Sequence, residues 1–61
     1  MTTEPEPRAR RRIALMRPGW AYVIFDRDLG ALLCDGGWAT RDRLGYYRTT
    51  DAGIAVGEGR G

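Results

Sequence analysis

The sequence predicts a small single domain of the α+β or mostly β class. Three observations carry that expectation. The chain has 61 residues, enough for one domain at most. It holds one unbroken run of aromatic, β-branched and alanine residues, Trp20 to Phe25. Its second half is cut into short segments by glycine and aspartate turns. The expected architecture has a disordered, Arg-rich N-terminal arm, two successive β-hairpins giving three or four strands, and a short C-terminal helix. The expected divisions are an arm over residues 1–17, largely disordered or a short helix, a β-rich domain over 18–57, and a flexible tail over 58–61.

The elements follow in order. Residues 1–8 carry two prolines and two glutamates, and read as a disordered tail. Residues 9–16 contain good helix formers. A helix there is short and stops before Pro18, because the residue before a proline avoids the helical region. Pro18-Gly19 signals a turn. Residues 20–25 read as a strand. It is apolar on both faces, and such a strand wants cover on both. Asp26 to Gly30 is turn-like. Residues 29–34 fit either a returning strand or a short helix, because short apolar runs do not separate the two. Gly36-Gly37 breaks the chain. Residues 38–41 and 46–49 then flank Asp42-Arg43-Leu44-Gly45, whose Asp-first, Gly-last order suits a type I turn and a hairpin. Thr50 is placed to cap a helix over 51–56.

Net charge refines the picture. The whole chain carries +2, but residues 1–17 hold five arginines and two glutamates, and residues 18–61 hold five arginines and six acids. The arm is therefore basic and the remainder slightly acidic. Arg8, Arg10, Arg11, Arg12 and Arg17 occur with no acid among them. On a helix, Arg8, Arg11 and Arg12 share one face. Guanidinium forks suit phosphate oxygens, and a basic terminal arm is a common source of sequence-independent nucleic-acid affinity.

Several function classes are disfavoured. The chain has one cysteine and no histidine, serine or lysine. A Cys/His metal site, an intramolecular disulfide and the usual nucleophile–base pairs are therefore excluded. Asp26-x-Asp28-x-Gly30 opens like a calcium loop but lacks the closing glutamate. No enzyme and no cofactor are expected. The longest uncharged internal run is Pro18 to Phe25, far short of the ~20 apolar residues of a membrane span. The short apolar run after the arginines does not make a signal peptide. A cytoplasmic location fits the lone Cys34.

The segment Trp38 to Gly53 resembles the wing of a winged-helix DNA-binding domain. In that family a tyrosine-arginine strand leads into a Thr-x-x-Gly helix start, and Tyr47, Arg48, Thr50 and Gly53 match it. Thr49 departs from the leucine more usual there. The resemblance spans sixteen residues. It implies that Arg41 and Arg43, in the wing, meet a phosphate backbone or minor groove.

Two functions therefore stand as expectations. The first is a non-enzymatic nucleic-acid-binding accessory or regulatory protein, with Arg41, Arg43 and Arg48 aiding the arm. The second is an interaction, inhibitor or structural-assembly protein docking on a larger protein complex. Its contacts would come from Trp20, Tyr22, Tyr46 and Tyr47. Trp20 and Trp38 are also the expected largest members of the core. A core this small is marginal, which leaves homo-oligomerisation open.

Overall fold

The computed structural model describes residues 6–59. Five elements follow one another: α1 (Pro7–Leu15), α2 (Arg27–Asp35), β1 (Ala39–Arg41), β2 (Tyr47–Thr49) and α3 (Asp51–Gly57). The fold is α+β, with three helices and one two-stranded antiparallel sheet among the described residues.

Helix α1 begins at a proline, where the missing N–H costs no helical hydrogen bond. It buries Ala9 and Ile13, and Met16 just past its end, at the i, i+4, i+7 spacing of one face. It stops where expected: Met16 is extended, with Pro18 two residues on. The short helix expected within residues 1–17 is α1. Its buried face packs on α3 and α2, so α1 belongs to the core rather than to a separate arm. The disordered tail expected over 1–8 lies outside the described residues for 1–5, and Glu6, Pro7 and Arg8 form the cap and first turn of α1. At the other end Glu58 and Gly59 close a turn after α3, and residues 60–61 are not described.

The strand expected over residues 20–25 is the main correction. Tyr22 alone pairs, forming one isolated bridge with Tyr47. Its two hydrogen bonds run from Tyr22 N to Tyr47 O at 2.9 Å and from Tyr47 N to Tyr22 O at 2.7 Å. Ile24 is buried and Tyr22 half-buried, whereas Val23 and Phe25 face solvent. The residues have strand chemistry but little sheet to join, since β1 and β2 are three residues each. Hence one hairpin forms, not two.

The turn expected at Asp26 to Gly30 is instead the start of α2. The Asp26 carboxylate accepts from Leu29 N at 3.1 Å, an N-cap bond. Leu29 and Leu33 then turn inward, which settles residues 29–34 as helix. At the far end Gly37 N bonds Cys34 O and Trp38 N bonds Leu33 O, both at 3.0 Å. With Gly37 at φ +78°, this is a Schellman ending.

The second hairpin forms as expected. Ala39 pairs with Thr49, Thr40 with Arg48 and Arg41 with Tyr47. The Asp42 carboxylate accepts from Leu44 N and Tyr46 N, both at 2.9 Å, and holds the turn. Thr50 caps α3 by accepting from Gly53 N at 3.2 Å and donates its own hydroxyl to Gly37 O. That second bond ties the start of α3 to the end of α2. Thr50→Ala loses both bonds and is expected to cost about 1–2 kcal/mol. Urea melts monitored by circular dichroism measure it; a midpoint equal to wild type would show that the cap contributes nothing.

Ile13 and Leu33 are the largest side chains closed off completely, and Trp38, Tyr47, Leu29 and Val56 pack about them. Trp38 is in the core as expected. Trp20 is not: it is 57% exposed.

Candidate functional site

The arginines divide by element. Arg8 sits in the first turn of α1 and pairs with Asp26 at 3.8 Å, both side chains half-exposed. Such a pair contributes little stability, but it places the start of α1 beside the cap of α2. Arg10 and Arg11 are exposed and Arg12 is half-buried. Arg17 lies over the Trp20 ring, its guanidinium carbon 5.2 Å from the ring centre, a cation–π contact.

The hairpin sorts the other three. In the register above, Arg48 and Thr40 share the outward face of the sheet, while Arg41 shares a face with Tyr47. Arg43 projects from the turn and is exposed. The Arg41 side chain folds back over Gly45. A Cβ built on Gly45 would lie 3.5 Å from an Arg41 terminal nitrogen, so the guanidinium rests against the turn.

Arg41 shares a cleft with a side chain that the sequence did not single out. Arg27 is the first residue of α2, and the two arginines line an open cleft of about 700 Å³ between α2 and the hairpin. Phe25, Ala31, Cys34 and Tyr47 complete most of its wall. Among the described residues no carboxylate lines it. The reason lies in the helical period. Arg27, Ala31 and Cys34 fall on one strip of α2, and Asp28 and Asp35 fall on another about a quarter turn away. Gly30 lets the hairpin close on the helix, since a Cβ there would overlap the Tyr47 hydroxyl.

A second depression, of about 250 Å³, lies where the end of α1 meets α3 and includes Arg17, Ile54 and Glu58. It carries both charge signs and suits no one class of ion.

The tyrosines divide too. Tyr47 is buried, with its ring against Gly30. Tyr22 is half-buried and its hydroxyl accepts from Arg17 N at 2.8 Å. Neither offers a free face, so of the four expected partner contacts Trp20 and Tyr46 are the accessible ones. Phe25 is a stronger candidate than any of them, at 92% exposed. The sequence carried one sign of it: in a strand apolar on both faces, one face must look outward.

Among the described residues no three His, Cys, Asp or Glu side chains gather as a metal site. Among them, too, no helix is long and apolar enough to cross a membrane. Arg27 and Arg41, from different elements, thus line one cleft with the Phe25 ring. Comparison with family models, curated proteins and solved structures gave no match.

Proposed function

We propose that this is a small non-enzymatic nucleic-acid-binding protein, an accessory or regulatory factor of the cytoplasm. One observation carries the reading. Two arginines from different elements, Arg27 and Arg41, converge on a cleft that no carboxylate among the described residues lines. Guanidinium groups held by a folded scaffold bind phosphate oxygens with less ordering cost than those on a free tail. Arg8, paired with Asp26, sets the start of α1 beside α2, and Arg11 and Arg12 lie on the same face of α1 as Arg8. Arg43 is exposed at the hairpin tip, and the winged-helix resemblance would set it against a phosphate backbone. Among the described residues two helices precede the hairpin rather than a winged helix's three. The support drawn from that resemblance is therefore confined to the hairpin and the Thr50-capped helix.

The test is a fluorescence anisotropy titration of the full chain with labelled DNA and RNA between about 50 and 200 mM salt. Affinity is expected to fall steeply with salt. The Arg27→Ala/Arg41→Ala double variant is expected to flatten the logarithmic salt slope by about one unit per arginine. No signal at low salt, or an unchanged slope in the double variant, overturns the reading.

A second reading has its own observation. Trp20, Val23 and Phe25 expose apolar surface along one short segment, as a docking site on a larger protein complex would. The two readings part over salt, since an apolar contact is not weakened by it.

A further inference from the structure

We infer that the cleft between α2 and the hairpin takes an unpaired nucleotide strand, with a phosphate between Arg27 and Arg41 and a base stacked on Phe25. The inference rests on the nucleic-acid reading above and narrows it.

The first argument is the placement of Phe25. It is the most exposed large apolar side chain among the described residues. Its backbone is pinned on both sides, by buried Ile24 before it and by the Asp26 cap after it. The backbone is therefore anchored beside the cleft, and the ring projects from its wall into solvent. Aromatic rings in that setting stack nucleobases, and every base has a π-face. The Asp26 carboxylate between Phe25 and Arg27 does not oppose a phosphate freely. It is engaged by Leu29 N at 3.1 Å and by Arg8 at 3.8 Å.

The second argument is against a duplex. A duplex laid along α2 would bring its phosphates onto the Asp28–Asp35 strip as well as onto Arg27. The exposed residues of α2 are Arg27, Asp28, Ala31 and Asp35, a poor set for reading base edges in a major groove. The whole chain has no asparagine and no glutamine, the side chains that read adenine bidentately. A narrow strand entering the cleft meets Arg27, Arg41 and Phe25 and avoids the acidic strip.

The third is size and shape. About 700 Å³ falls within the ~300–1,000 Å³ range of ligand sites. The cleft is about half open to solvent, which suits one segment of a longer chain better than a free nucleotide enclosed. With stacking and phosphate contacts as its means, the site tolerates many sequences.

Anisotropy with the full chain tests this, using oligothymidine, an RNA strand of equal length, a duplex of equal length and oligoglutamate as probes. Wild type is expected to bind both strands more tightly than the duplex. Phe25→Ala is expected to weaken strand binding roughly 5- to 100-fold and duplex binding less than about twofold. Phe25→Trp is expected to retain it. Because Phe25 is exposed, the variants keep the fold, which far-ultraviolet circular dichroism verifies. Tighter binding to the duplex, an equal loss on strand and duplex in Phe25→Ala, or oligoglutamate binding as tightly as the strand overturns the inference. Binding to the duplex with the arginine-dependent salt slope would still leave the broader reading standing; no binding to any nucleic acid removes both.

Discussion

Leu33→Ala is expected to leave most of the chain unfolded at room temperature. Leu33 has no exposed surface and lies on α2 at the middle of the core. Removing a buried leucine to alanine costs about 2–5 kcal/mol, part from lost transfer energy and part from the cavity left behind. A core of this size supplies no more than about 3–5 kcal/mol in all. The substitution therefore removes an amount comparable to the whole stability. No disulfide offsets it, because Cys34 is free. Circular dichroism at 25 °C gives the readout. A native spectrum with an unchanged melting midpoint would show that the core is not organised around α2.

Gly53→Ala is the second large effect, and it arises from backbone rather than from a cavity. A Cβ on Gly53 would overlap the Trp38 carbonyl oxygen, which itself accepts a hydrogen bond from Thr50 N at 3.0 Å. Neither backbone can yield without breaking the junction between the hairpin and α3. Overpacking of this kind costs about 1–3 kcal/mol or more. Gly57, in the same helix, provides the contrast. It is the last helical residue, its added methyl would meet Ile13 at 3.4 Å, the near edge of ordinary contact, and alanine there gains up to about 0.5 kcal/mol, less than in a helix middle. The same substitution four residues apart is thus expected to move the melting midpoint in opposite directions. A Gly53→Ala variant as stable as wild type would mean that α3 does not pack on Trp38 this closely.

Much of the second half of the fold is legible locally. The Asp42–Gly45 turn and the Thr50 cap are written in residues a few positions apart, and both form as the sequence indicates. The first half is less legible, for a physical reason. Strand preference measures how well a side chain fits a pleated, half-covered surface. Whether such a surface exists beside residues 20–25 depends on β2, some twenty-five positions later. The Asp26 cap was readable in principle, but Asp26 to Gly30 also has turn chemistry, and the choice rests on Leu29 and Leu33 finding a core. The site divides likewise. Arg41 was visible as a hairpin arginine. Arg27 was not, because its role comes from the angle at which α2 faces the hairpin. Phe25 was counted among the aromatics without a sign of which face of its segment the core would claim.

The Tyr22–Tyr47 bridge has a consequence for motion. The ten residues between Met16 and Arg27 are fastened to the sheet by one rung of two hydrogen bonds. Each contributes a net ~0.5–1.5 kcal/mol, so releasing the rung takes less free energy than unfolding the molecule. Opening of that rung is therefore a local event, distinct from the unfolding of α2 and the hairpin, which carry Arg27 and Arg41.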